Sequence, residues 1–264
     1  MDLSQAVILG IVEGITEFLP ISSTFHLVWA SQFLGLPESD FVKLFQIAIQ
    51  SGAVLAVLAL YARAVLTDRA LLTRVVMSFV PTAVVGFLLY RVIKDVFLTD
   101  LPLQVVVFGA VGLLFIVVET AWAKRPLARD LRDLSWRDAA LVGLAQAVAV
   151  VPGVSRAGAV ILALIALRVR RDDAARYSFL LAVPTILAAG AYDLYQSRGA
   201  LAASANGAVA LLVGAVVAFA VALVVVRWFI GYLQTHSLAL FGLYRVAVAL
   251  ALGIAVLLLA LGGR

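Results

Sequence analysis

Two acids, three hydroxyls and a histidine stand within one fourteen-residue stretch: Glu13, Glu17, Ser22, Ser23, Thr24 and His26. Glu13 and Glu17 are i and i+4, which puts both carboxylates on one face of a helix. Carboxylates so placed repel. Either they share a proton or a divalent cation sits between them, and oxygen ligands select Mg²⁺ or Ca²⁺ over zinc. A plainer reading is that both acids hydrogen-bond a nearby break in the backbone. Pro20-Ile21-Ser22-Ser23-Thr24 follows directly. Hydroxyls at such a break cap the next helix, whose free N–H groups make an anion site. His26, one turn on, titrates near neutrality and can act as general acid or base. Taken alone, a histidine is more often a packed side chain.

Half the chain later comes Pro152-Gly153-Val154-Ser155-Arg156-Ala157-Gly158. Its glycines admit a close backbone, Ser155 caps a helix, and Arg156 offers a rigid fork for phosphate oxygens or a partner for Glu13 or Glu17. Arg245 is a second cation that could reach the same point, or pair with Glu119. Asp193 reads as a solvated helix end. Acids, hydroxyls, a histidine and arginines gathered between two helix N-termini make a site for phosphate. They are also the parts that phosphoryl transfer needs: charge neutralisation, an oriented nucleophile and a proton donor.

The elements that must position these groups are apolar. Hydrophobic residues make up 64 % of the 264 and charged ones 13 %, against roughly 45–50 % and 25 % in soluble proteins. No water-soluble fold of this size could hide that much apolar surface. The chain is therefore an all-α polytopic membrane protein, a single integral membrane domain over 1–264. Soluble enzyme and nucleic-acid binder are excluded, and the net charge of +5 belongs to cytoplasmic loops. Without cysteine there are no disulfides or thiolate sites. Asp2 stands where a signal peptide would be basic, so the N-terminus is expected to be retained. Trp29, Trp122, Trp136 and Trp228 read as interfacial anchors.

Six segments suit membrane spans: 41–61, 75–90, 101–122, 177–195, 207–230 and 238–261. Two regions, 3–36 and 141–167, are instead pairs of short apolar stretches split at Pro20 and at Pro152-Gly153, the pattern of re-entrant helical hairpins. The chain also repeats. The two P-x-x-S motifs lie 132 residues apart, and Gly10/Gly143, Glu13/Gln146 and Phe108-Gly109/Phe241-Gly242 match at an offset of 133. Each half, 1–132 and 133–264, then holds one hairpin and three spans. An odd number of crossings inverts the second half, giving six transmembrane helices plus two re-entrant hairpins in an inverted-topology repeat, with the site where the broken helices meet. This threading puts twelve Lys and Arg on one face and five on the other. The richer face is cytoplasmic, so both termini and the first hairpin face outward. Kinked single spans would move Lys43, Arg63, Arg69 and Arg74 to opposite faces and blur that asymmetry.

Glu13-Gly14-Ile15-Thr16-Glu17-Phe18-Leu19-Pro20-Ile21-Ser22-Ser23-Thr24-Phe25-His26, followed by the Pro152–Gly158 motif, resembles the bacterial undecaprenyl pyrophosphate phosphatase family, also called the bacitracin-resistance protein family. The likeness covers nearly the whole chain, including Ile49-Gln50, Gly52-Ala53, Ser178 to Pro184 and Tyr244-Arg245. It implies an integral enzyme of the bacterial cytoplasmic (inner) membrane. Such an enzyme removes one phosphate from undecaprenyl pyrophosphate at the outer face and so recycles the carrier lipid for peptidoglycan. The family's acid pair falls on Glu13 and Glu17, which would bind a divalent cation or act as base. Its serine nucleophile falls on Ser23, with Ser22 and Thr24 beside it, and its histidine on His26. Its phosphate-gripping pair falls on Ser155 and Arg156 and its late arginine on Arg245. The implied partners are a prenyl pyrophosphate lipid and the membrane; a homodimer is left open. The family usually has Gly where Phe25 stands and Ser where Ala157 stands, often with an acid where Gln46 stands. Phe25 is expected to narrow the phosphate site, and Ala157 to remove one phosphate hydrogen bond. The competing reading is a lipid-phosphate transporter or flippase on the same inverted repeat.

Overall fold

The computed structural model describes residues 1–97, 100–122, 127–204 and 206–262. Among them stand eleven α-helices of nine residues or more: α1 (Leu3–Thr16), α2 (Ser23–Phe33), α3 (Asp40–Ala48), α4 (Gln50–Thr67), α5 (Arg69–Leu88), α6 (Leu101–Trp122), α7 (Trp136–Ala147), α8 (Arg156–Ala166), α9 (Arg171–Gln196), α10 (Gly207–Thr235) and α11 (Ala239–Gly262).

Among the described residues five stretches are long and apolar enough to cross a membrane: Asp40–Arg63, Arg69–Leu88, Leu101–Ala121, Arg171–Gln196 and Gly207–Thr235. They correspond to five of the six expected spans. The sixth falls on α11, an apolar helix. Bounds differ where polar residues hid a helix start. The span expected from 75 begins at Arg69, because the Asp68 side chain caps it by accepting from the Leu71 N–H at 2.9 Å. The stretch expected from 141 begins at Trp136, where Ser135 and Asp138 form a reciprocal capping box.

The two short-helix pairs fold back on themselves. The Gln5 amide near the start of α1 donates to the Leu34 carbonyl just past α2, at 3.3 Å. Ahead of α7, the Arg129 N–H donates to the Arg168 carbonyl and the Arg170 N–H returns to Arg129, at 3.0 and 2.9 Å. Glycines let each pair press onto a long helix. A Cβ on Gly10 would come within 2.6 Å of the Gly214 carbonyl in α10, and Gly143 rests on the Ser78 backbone in α5. In an apolar solvent helices associate through such close backbone contact, since lipid offers no hydrophobic drive. Likewise Gly112 of α6 would meet the Arg245 Cβ of α11 at 2.7 Å. The main core gathers Phe18, Phe115, Tyr177, Phe179 and Phe229 between the hairpins and the long helices.

Trp136 and Trp228 are half exposed, as anchors should be. Trp29 packs between Phe25 and Phe33. The Trp122 side chain, with Lys124, Arg125 and Arg264, lies outside the described residues.

Candidate active site

Both helix breaks end in the same backbone device. Ser22 (φ 66°, ψ 93°) precedes α2, and Ser155 (φ 74°, ψ 114°) precedes α8. A non-glycine residue held there costs on the order of 1–3 kcal/mol, and such strain clusters at functional sites. After these turns Arg156 reaches across the gap to Glu17 of the first hairpin, and Ser23 turns to the same carboxylate within its own hairpin.

Ser155 caps as expected, accepting from the Gly158 N–H at 3.1 Å. The hydroxyls of the first break do not. Ser22 makes no side-chain cap, and Ser23 donates its hydrogen to Glu17 Oε2. Its donor hydrogen is thereby fixed on a carboxylate just past the end of α1. The other Glu17 oxygen accepts from Arg156 Nη2 at 2.7 Å, while Arg156 Nη1 donates to the Ser178 carbonyl at 2.9 Å. Ser23, Glu17 and Arg156 thus form one hydrogen-bonded chain linking the hairpins. Arg156 Nε is buried without a partner, a donor still unused.

Glu17, Ser22, Ser23, Thr24, Ser155 and Arg156 all line one cavity of about 540 Å³. Much of its remaining wall is apolar, from α5, α9 and the second break. The other expected residues stand behind this surface. Glu13 is fully buried against Glu17, and both its carboxylate oxygens lack a hydrogen-bond partner. His26 points away from Ser23. Its Nδ1 lies 2.8 Å from the Ser22 carbonyl, which can only accept, so Nδ1 carries the proton and Nε2 accepts from the Tyr244 hydroxyl at 2.8 Å. Neither ring nitrogen is left for Ser23.

Arg245 is not placed to grip phosphate. It is completely buried, donating to Phe108 O at 3.1 Å, to Pro20 O at 3.0 Å and to Gly153 O. Its guanidinium lies 4.4 Å over the Phe108 ring. One side chain thereby ties the carbonyls of both breaks together. Nor does Arg245 pair with Glu119. That acid takes a two-pronged bond from Arg171 at 3.1 and 2.5 Å and accepts from the Leu238 N–H at 2.9 Å. Phe25, expected to narrow the site, is not on the cavity wall and stacks on Phe108, with ring centroids 4.0 Å apart. Asp193 is buried rather than solvated, accepting from the Tyr90 hydroxyl at 2.5 Å.

Several cavity residues escaped the sequence reading. Gln146 donates to the hydroxyls of Thr82 and Thr185 at 2.9 and 3.2 Å. Its repeat match with Glu13 was the available signal. Tyr90 and Thr185 gave none, because single polar residues in apolar helices carry no spacing.

Among the described residues no three His, Asp or Glu side chains group as a metal site. Of the Glu13–Glu17 pair, Glu17 already accepts from Ser23 and Arg156, so the oxygens left to ligate a hard cation are the buried ones of Glu13.

Comparison with known proteins gives the family of the chain. A match to the family described as Bacitracin resistance protein BacA spans residues 6–251. The undecaprenyl-diphosphatase of Aquifex aeolicus is 43 % identical over 246 residues, covering 93 % of this chain and 95 % of the relative. That of Thermus thermophilus is 44 % identical over 248 residues, covering 93 % and 94 %. That of Campylobacter hominis is 40 % identical over 254 residues, covering 95 % and 98 %. With a match of that extent over both helix breaks, the chain belongs to the bacitracin resistance protein BacA family.

Proposed function

We propose that this multi-pass membrane protein hydrolyses undecaprenyl pyrophosphate to undecaprenyl phosphate and inorganic phosphate. The carrying observation is the Ser23–Glu17–Arg156 chain, which joins two helix breaks at the polar end of a largely apolar cavity. That combination suits an amphiphile with a doubly phosphorylated head.

The incoming terminal phosphate competes with Glu17 for the Arg156 guanidinium, and Ser155 and the α2 and α8 N-termini hold its remaining oxygens. Glu17, relieved of its cation, takes the Ser23 proton. The Ser23 oxygen attacks the terminal phosphorus, the bond to the bridging oxygen breaks, and undecaprenyl phosphate departs with that oxygen. Water then hydrolyses the phosphoserine; Glu17 returns the proton to Ser23, and the water's hydrogens leave with phosphate. In a variant, water attacks directly and Ser23 only orients it. A divalent cation, Mg²⁺ or Ca²⁺, held by Glu13 and Glu17, would neutralise charge on the pyrophosphate. His26 positions the Ser22 turn.

In the membrane, this reading has six spans and two re-entrant hairpins in an inverted repeat. Both termini are outside, and the site opens at the outer face of the cytoplasmic membrane. The matched left-handed serines and the one-sided Lys and Arg support it.

The test is phosphate release from undecaprenyl pyrophosphate by purified, detergent-solubilised protein, with and without chelator, beside Glu17→Gln, Ser23→Ala and Arg156→Ala. Release abolished in Glu17→Gln and Arg156→Ala supports the reading. Near-normal turnover by Ser23→Ala would leave only direct water attack. Folded wild type that binds the lipid but releases no phosphate would favour transport instead.

A further inference from the structure

The cavity is longer than a pyrophosphate needs. From its polar end it continues along α5, past Phe79, Ala83 and Gly86, which recur at i, i+4 and i+7 on one helix face. Phe87 lines the same cavity and is 66 % exposed. The cavity therefore reaches the apolar outer surface of the protein at that point.

Gly86 is the cavity-lining glycine, and it lies inside a 20-residue helix. Glycine in a helix interior costs about 0.5–1 kcal/mol relative to alanine. Gly10 and Gly112 offset that cost with helix contacts that a Cβ would break. A Cβ on Gly86 would meet nothing within 4 Å. Helix packing thus does not require the missing side chain; the empty space it leaves is cavity.

We propose that Gly86 sets the passage by which the first isoprene units of the substrate leave the phosphate site for the lipid, between α5 and the second helix break. This rests on the phosphatase reading above. Gly86 does not touch the phosphates; it selects for the tail. A leucine there would project into the passage and displace the chain, while a head group with almost no tail would still bind.

The experiment compares wild type, Gly86→Leu and Val84→Leu, the last altering the exposed side of the same helix. Each is assayed with undecaprenyl pyrophosphate and with isopentenyl pyrophosphate. The expected result is kcat/KM reduced about tenfold or more for the long substrate in Gly86→Leu, the size of one or two lost methylene contacts in all, with the short substrate within about twofold. Val84→Leu should match wild type on both. Equal activity of Gly86→Leu on both substrates, or equal loss on both, overturns the proposal. Binding of a fluorescent prenyl monophosphate to the same three proteins separates the two readings. Weakened binding only in Gly86→Leu upholds the passage even if wild type releases no phosphate, and unchanged binding refutes it.

Discussion

Arg245 should act on the reaction without touching the substrate. Its guanidinium holds the carbonyls of Pro20, Gly153 and Phe108, and Ser23 and Ser155 follow the first two by three and two residues. Arg245→Met keeps most of the volume and strands two buried acceptors, Pro20 O and Gly153 O, while Phe108 O keeps its partner inside α6. Orphaning a buried acceptor costs about 1–3 kcal/mol. Two such losses, less the part recovered by no longer burying a charge, leave a net destabilisation of about 1–3 kcal/mol. The two breaks also lose their shared tether. A misplacement of about 1 Å between catalytic groups costs roughly 10²-fold in rate. The assay pairs thermal unfolding in detergent with phosphate release, reading kcat and KM separately. The expected outcome is a lower Tm and a kcat down about 10²-fold with KM little changed. Arg245→Lys should not rescue, because one ammonium cannot span three carbonyls as the planar fork does. Full rescue by lysine, or a Met variant with unchanged Tm, would refute the tether.

His26→Gln should lose less than about tenfold in kcat and keep the wild-type pH profile, since both ring nitrogens are committed to Ser22 and Tyr244. A true acid–base role would cost about 10²–10⁴-fold. At the second hairpin's mouth, burial raises the Asp138 carboxyl, but hydrogen bonds from Arg129 and Ser135 outweigh it and hold the group below the usual carboxylate range. The ionised form is therefore favoured in the folded state. Its contribution is present above the unfolded value of about 3.9 and fades as pH falls through the lower folded value. Wild type should lose Tm below about pH 4, and Asp138→Asn should show a shallower acid limb in the same melts.

Composition and spacing reveal a great deal here. An excess of apolar residues points to a membrane bundle, and runs of about 20 of them are long enough to span. Helix bounds slipped at Arg69 and Trp136 because capping acids and arginines at the starts of α5 and α7 look like loop. The residue types of the site were legible for a similar reason: acids, serines and arginines are too costly in lipid to be there without a role.

The division of labour among those residues was not legible. Sequence distance cannot say which of two arginines reaches Glu17, and both were candidates. The fold gave the position to Arg156, because the left-handed turn at Ser155 points it across the gap. It left Arg245 behind the breaks, where only carbonyls are in reach. The same holds for Phe25, bulky on paper beside the phosphate site, yet drawn away by the face of Phe108. What the sequence determined was the inventory and its solvent: which groups must be sheltered from lipid, and how many helices do the sheltering. Only the tertiary structure decided which sheltered groups share a cavity and which merely hold its walls. That choice depends on angles of a few backbone turns and on partners more than a hundred residues away.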